Sequence, residues 1–387
     1  MRILHIDTER GWRGGERQVL WLAAELARRH HGSIIAARPD EPLARRARDV
    51  GLEVVSCEPA FEADPRAVFR LRRAARMRGI EIVHAHTAHA VALGALATLG
   101  TNVPLVVARR VDFPLRRNAG TRWKYGRADA IIAISRAVAD VLRATGIDRA
   151  RVTVVPDGTD IHREIRPAPG ALLASLGLAP LRPVVVQVAQ LVRQKDPLNF
   201  VRAVAVARTR VPEVQALLVG EGPLRRDVEN AIRALDLGGA LRLTGYRTDA
   251  DAILAAADVV VLSSREEGLG SVLLDALLLG KPIATTRAGG IPEVIDDGRT
   301  GLLAPIADAA ALGANIARLL TDRALAERLG QAARARAHDF SVEHMTDRTM
   351  EIYERVLARH SPDVRDAAMR RTTAAMRTRS ESSTRAP

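Results

Sequence analysis

The chain has 387 residues, 47% of them hydrophobic, which is enough for two or three domains with buried cores. Aromatic residues make up 3%, too few for the base-stacking platforms of single-strand nucleic-acid binders, so no nucleic-acid partner is expected. The single cysteine, Cys57, excludes an intramolecular disulfide and suits a reducing compartment. The net charge of +13 is uneven. Residues 1–165 carry 28 Arg and Lys against 19 Asp and Glu, residues 166–360 carry 24 against 23, and residues 361–387 carry 6 against 3. A basic N-terminal half points to an anionic partner there, either a phosphorylated acceptor or an anionic membrane surface. An Arg-rich composition explains it equally well, since only Lys124, Lys195 and Lys281 among the 58 basic residues are lysines.

The segment Met1-Arg2-Ile3-Leu4-His5-Ile6 runs directly into a strand, without the layout of a signal peptide. Strands are predicted at 2–6, 33–37, 53–56, 81–84, 104–108, 130–134 and 152–155, with helices between them, for example at 16–29 and 66–78. The charge-free stretch 87–108 is long enough to be tested as a membrane span. Its His89, Gly94, Gly100, Thr101, Asn102 and Pro104 instead give helix, turn and strand. The chain is therefore expected to be soluble and cytoplasmic, or peripheral at the inner face of a membrane. Pro156-Asp157-Gly158-Thr159-Asp160, followed by Pro167 and Pro169, breaks the rhythm as a linker. Strands resume at 183–188, 214–219, 240–243, 259–262, 282–285 and 301–303, followed by helices at 308–320, 322–336 and 341–358. Alternating strand and helix marks an α/β chain with parallel sheets. It divides into two Rossmann-like domains, 1–160 and 161–340, facing a central cleft, with a closing helix at 341–358. The tail 361–387, rich in Arg, Ser, Thr and Ala, is expected to be disordered.

The most informative run is Ser263-Ser264-Arg265-Glu266-Glu267-Gly268-Leu269-Gly270-Ser271-Val272-Leu273-Leu274-Asp275. It follows the apolar strand 259–262 and opens a helix, so it lies at the carboxyl end of a parallel strand, where open α/β sheets bind ligands. The free amides of Leu269, Gly270 and Ser271 can face an anion at the helix N-terminus. Glu267 stands before the helix and Asp275 projects from its second turn. An anion seat flanked by two carboxylates that can bind hydroxyls suits a nucleotide sugar. A plain strand-turn-helix with an acidic start would read the same way locally.

This run resembles the donor signature of glycosyltransferase family 4, a retaining group built on the GT-B fold. The family pattern is Glu-Gly-Phe-Gly with a second Glu eight residues after the first; here Leu269 replaces the Phe and Asp275 the second Glu. The resemblance extends over residues 1–358. It includes Gly11-Trp12-Arg13-Gly14-Gly15-Glu16-Arg17, Ile82-Val83-His84-Ala85-His86-Thr87 and Ala133-Ile134-Ser135. It continues through Val155–Asp160, Val219-Gly220-Glu221-Gly222-Pro223-Leu224 and Ala288-Gly289-Gly290-Ile291-Pro292-Glu293. The order of the set is far more specific than any one member.

The resemblance implies a role for each matched residue. The C-terminal domain would hold the donor: Glu267 on sugar hydroxyls, Asp275 on the ribose, and Arg193, Lys195 and the turn Gly268-Leu269-Gly270-Ser271 on the diphosphate. Family members usually read Gly-Arg-Leu where this chain has Ala189-Gln190-Leu191, so Arg193 is expected to restore the charge lost at Gln190. His86 would reach the reacting region of the sugar, with His84 structural; two His at this spacing point to one side of a strand and also invite a metal reading. Gly15 would border the donor, Gly14 and Trp12 the acceptor. Asp249-Ala250-Asp251 is formally an Asp-x-Asp metal motif, but its place before a helix reads as N-capping. The implied activity is metal-independent, retaining transfer of a sugar from a nucleoside-diphosphate donor to a hydroxyl acceptor, a bacterial envelope glycan or glycolipid, with no cofactor. A nucleotide-sugar epimerase or hydrolase, or a non-catalytic nucleotide-sugar binder, are the alternatives on this fold.

Overall fold

The computed structural model describes residues 1–115 and 118–360; the tail expected to be disordered lies outside the described residues. Thirteen strands form two wholly parallel sheets. The first comprises β1 Arg2–Ile6, β2 Gly32–Ala37, β3 Glu53–Ser56, β4 Ile82–Ala85, β5 Leu105–Arg109, β6 Ala130–Ala133 and β7 Val152–Val154, in the order β3-β2-β1-β4-β5-β6-β7. The second comprises β8 Val184–Val188, β9 Gln215–Val219, β10 Leu241–Gly245, β11 Val259–Leu262, β12 Ile283–Thr286 and β13 Leu302–Ala304, in the order β10-β9-β8-β11-β12-β13. Runs such as Val184–Val188 and Val259–Leu262 are apolar on both faces because helices cover both faces of a parallel sheet.

In each sheet the strand order reverses once, between β1 and β4 and between β8 and β11. Loops leaving neighbouring strands diverge at such a point and open a crevice at their carboxyl ends. The glycine segment follows β1 and His86 follows β4. Lys195 follows β8 and Glu267 follows β11. All four sequence-derived landmarks therefore flank a switch point.

The domains are joined by two adjacent crossings. The Thr159 amide donates to the Phe340 carbonyl at 2.7 Å, and the Val342 amide donates to the Thr159 carbonyl at 3.1 Å. A Cβ at Gly158 would lie 2.9 Å from Val342 Cα, which is why glycine stands there. The last helix, Val342–His360, runs back over the first domain. Its Ile352, Tyr353 and Val356 are buried with Ile3, Leu22, Leu26, Ile82, Val106 and Ile132. Among the described residues no helix is long and apolar enough to cross a membrane.

The helix predicted at 66–78 spans Pro65–Met77. Ala67, Leu71 and Ala74 face the core. Arg66, Phe69, Arg70, Arg73, Arg76 and Met77 are exposed and share the opposite face.

Candidate active site

In the second domain, the loop after β8 is shaped by the Gly-Glu-Gly segment after β9. A Cβ at Gly220 would meet the Ala189 carbonyl at 2.0 Å, and one at Gly222 the Leu191 carbonyl at 2.5 Å. The loop's lower end is tied to β11 by Ser263, whose hydroxyl donates to the Lys195 and Asp196 carbonyls at 3.0 and 2.9 Å. Lys195 is thereby aimed at the donor turn, where its ammonium pairs with Glu267 Oε2. The Ser264 hydroxyl donates to the same oxygen at 3.0 Å. Two motifs 72 residues apart thus meet at one carboxylate. Gly270 caps the helix Ser271–Leu278 in the left-handed region, φ +90°, leaving the first amides of that helix at the cleft. Arg193 and Gln190 are exposed at the lip.

Asp275 projects into a buried network. Its Oδ2 accepts from Arg17 Nη2 at 2.7 Å, and its Oδ1 from Arg163 Nη2 at 2.8 Å and Thr159 Oγ1 at 3.4 Å. Both guanidinium groups lie over Trp21, 4.7 and 5.5 Å from the ring centroid. Asp251 joins through Arg163 at 2.7 Å, and Asp249 forms a bidentate pair with Arg247 at 2.7 Å. The expectation that Asp249-Ala250-Asp251 caps the following helix is corrected: the helix already begins at Ala250, Asp249 stands at the N-cap position but its side chain pairs with Arg247 and makes no cap bond, and Asp251 lies in the first turn.

In the first domain, Gly14 and Gly15 form the first turn of the helix Gly14–Arg28 rather than a loop before it. A Cβ at Gly14 would lie 2.3 Å from Ser271 Oγ, so the two cleft-facing helix N-termini touch. Trp12 packs beside the helix with Arg46 over its ring at 4.3 Å, which covers one face. His84 and His86 do share a side, with ring centroids 4.0 Å apart, and His5 from β1 completes a buried trio. Sequence reading missed His5. The signal was a histidine in each of two apolar strands that pair across the switch point, His5 beside His84. His84 Nδ1 bonds the Tyr353 hydroxyl at 2.6 Å.

Arg110, at the end of β5, was also missed, although Arg109-Arg110-Val111-Asp112 after an apolar strand was visible. Its Nη1 reaches His86 Nδ1 at 3.3 Å and its Nε donates to Asp157 Oδ1 at 3.1 Å. An arginine can only donate, so His86 Nδ1 accepts. His86 Nε2 then carries the proton and donates to His5 Nδ1 at 3.0 Å. Burial, reinforced by neighbouring His84 and by Arg110, holds the His86 pKa well below the usual imidazole range. Burial, with Arg110 adding, depresses His5 to about 3. Asp7, at the end of β1, is pushed up to about 7 by burial and then by Glu16.

The cleft is closed by direct contacts. Asp112 Oδ2 accepts the Glu267 amide at 2.8 Å. In the other direction, Glu293 accepts the Arg136 and Ala137 amides at 3.0 and 3.2 Å, capping the helix Arg136–Ala144. A Cβ at Gly268 would lie 2.2 Å from the Arg110 carbonyl, and one at Gly290 2.8 Å from Ser135 Cβ. Gly268 is thus required by domain contact, whereas Gly289 and Gly290 are required first by the adjacent turn of their own domain, where a Cβ would meet the Glu267 carbonyl at 1.9 Å and the Gly268 carbonyl at 2.1 Å.

Two parallel sheets of seven and six strands, meeting across a cleft with the glycine, histidine, lysine and glutamate loops at both switch points, form the GT-B fold. Solved structures share this arrangement: Anabaena HepE with UDP-glucose superposes with a TM-score of 0.80 at 22% identity, covering 92% of this chain and 99% of that one. Sucrose-phosphate synthase from Thermosynechococcus elongatus gives a TM-score of 0.73 at 20% identity, over 92% and 100%. Residues 12–163 match the model described as Glycosyltransferase Family 4, and residues 172–336 that described as Glycosyl transferases group 1. The chain is 33% identical over 314 residues to alpha-maltose-1-phosphate synthase of Mycolicibacterium smegmatis, spanning 72% of this chain and 79% of that one. It is 32% identical over 283 residues to D-inositol 3-phosphate glycosyltransferase of Nocardia farcinica, spanning 70% and 61%. The protein belongs to the group 1, family 4 glycosyltransferases and is a glycosyl-transferring enzyme.

Proposed function

We propose that the protein transfers a sugar, with retention, from a nucleoside-diphosphate donor to a hydroxyl of a bacterial envelope glycan or glycolipid. The observation behind this reading is the meeting of Lys195 and Glu267 beside the free amides of the helix Ser271–Leu278, at the switch point of the second sheet. As the bond from the anomeric carbon to the diphosphate breaks, negative charge grows on the phosphoryl oxygens. Lys195, Arg193 and the amides of Leu269 to Ser271 are the groups to stabilise it. The acceptor oxygen bonds to the same face of the anomeric carbon, and its proton passes to the departing phosphate. Glu267 trades part of its contact with Lys195 for sugar hydroxyls. The UDP and UDP-glucose complexes of Anabaena HepE support a nucleotide-sugar donor by likeness of fold.

Metal independence is part of the proposal. The three-histidine group is the only candidate ligand cluster among the described residues, and its ring nitrogens lie within 4.8 Å of one another. Arg110 places a cation against it and leaves a proton on His86 Nε2, both of which oppose a divalent ion. Peripheral attachment to an anionic membrane through the exposed face of the helix Pro65–Met77 is the proposed location.

The test is incubation of the purified protein with radiolabelled nucleotide sugars, with and without chelator. Nucleotide release, even by slow hydrolysis, supports the enzyme. Tight binding without release across the donor set would favour a binding protein instead.

A further inference from the structure

We propose that Arg110 is a substrate-contacting residue whose guanidinium donates to a phosphoryl oxygen of the donor diphosphate, and that His86 and Asp157 act by holding it there. This rests on the glycosyltransferase reading above.

The first observation is that His86 has nothing left to offer a substrate in this arrangement. Its Nδ1 is taken by Arg110 and its Nε2 proton by His5. Both nitrogens of the imidazole expected to face the sugar are engaged inside the first domain. The group standing between His86 and the cleft is Arg110.

The second observation is the way Arg110 is held. Nε is committed to Asp157 and Nη1 to His86, while Nη2 has no partner among the described residues. A planar fork fixed along two edges presents its remaining edge in one direction, without the rotamer freedom of a lysine. Its side chain is only 14% exposed, so a bond made by Nη2 would be little weakened by water.

The third observation is location. A Cβ at Gly15 would touch Arg110 Cδ at 4.0 Å, and one at Gly268 would overlap the Arg110 carbonyl at 2.2 Å. Arg110 therefore lies between the glycine turns of both domains, on the opposite wall from Lys195 and Glu267. A diphosphate seated at the donor turn would have cations on both sides. The contact of Arg110 with Gly268 also links the placement of this charge to domain closure.

The experiment compares wild type with Arg110→Ala, Arg110→Lys and Arg110→Gln, each checked for folding by circular dichroism. Calorimetric affinity for nucleoside diphosphate is measured beside kcat and KM for donor and acceptor. All three variants should lose about 10²-fold in kcat, the scale of one lost transition-state donor. Nucleoside-diphosphate affinity should fall about tenfold. The lysine should fail because it cannot hold Asp157 and His86 together, and methylguanidinium should partly restore Arg110→Ala. Folded variants with turnover and diphosphate affinity within threefold of wild type would overturn the proposal while leaving the enzyme's function intact. A rise confined to the KM of the acceptor would overturn it too, by moving the phosphoryl oxygen to a phosphorylated acceptor. A wild type that releases no nucleotide from any donor sinks both readings at once.

Discussion

Arg17 and Asp275, 258 residues apart, join the two domains through an ion pair of 2.7 Å. Asp275 is the position at which the family pattern has Glu. Here one oxygen takes Arg17 and the other takes Arg163, both stacked on Trp21. The shorter side chain fits a site in which arginines reach to the carboxylate. Removing it would leave two guanidinium groups buried against an indole with only the half-exposed Asp251. Asp275→Ala should therefore cost about 3 kcal/mol, the low end for breaking a buried pair. Urea unfolding followed by fluorescence checks this, and a loss below about 1 kcal/mol would show that the network is not holding the domains.

Lys195→Ala should lower kcat by about 10²-fold or more, with the fold intact because the residue lies in a loop. Glu267→Ala should cost more activity than Asp275→Ala, since the first carboxylate is the one proposed to bind the reacting sugar and the second sits in the domain contact. Steady-state kinetics on the three folded variants decide it; equal losses at 267 and 275 would reject this division of roles.

Acid stability should be governed by the histidine trio. Burial, then neighbouring charge, holds His5 at about 3, and His84 and His86 well below their ordinary 6.5. Below about pH 6.5 the unfolded chain takes up protons that the folded chain refuses, so stability falls as pH drops. Asp7 works in the opposite sense: raised from 3.8 to about 7, it holds a proton in the fold that the unfolded chain releases, and favours the fold at the acid end of that window. Glu16 and Asp157, also raised by burial, act with Asp7, while His31 and the lowered carboxyls of Glu25, Asp64 and Asp249 act with the trio, so a net decline in Tm is expected from pH 6.5 towards 4. His5→Asn should flatten that decline; an unchanged slope would place the acid sensitivity elsewhere.

The helix Pro65–Met77 should bind anionic surfaces. Arg66, Arg70, Arg73 and Arg76 have no ion pair among the described residues, whereas Arg78 pairs with Glu53 and Arg72 bonds the Ala97 carbonyl. Phe69 and Met77, 66% and 68% exposed, lie on the same face as these four arginines, and Arg73 Nε donates to Met77 Sδ at 3.4 Å. Flotation with anionic liposomes at low salt should recover the protein. High salt, neutral lipid, or glutamate at the four positions should abolish recovery. Recovery that is equal with both lipids would mean a solvated helix face.

What could be read in the chain was local. Val184–Val188 and Val259–Leu262 announce strands because burial on both faces demands continuous apolar runs. Lys195 and Glu267 were found because each follows such a run. Asp275 was singled out by spacing, but its partners were not, since nothing near Arg17 or Arg163 marks either as reaching a helix in the other domain. The same holds for Arg110: its contacts with Asp157, His86 and Gly268 come from three separate segments brought together only by the sheet order and by closure. Gly268 and Gly290 looked like turn glycines, and their reasons, the Arg110 carbonyl of the opposite domain for the first and the Gly268 carbonyl with Ser135 beyond it for the second, are visible only in three dimensions.

The return of the helix Val342–His360 to the first domain makes that domain discontinuous and the second domain an insertion within it. Its two ends lie side by side, where Thr159 and Ser341 form a parallel bridge. The second domain is therefore a cassette with adjacent termini. Exchange with a relative's second domain needs both junctions to be moved together, and a fragment ending at residue 160 would lack the Tyr353 side of its own core.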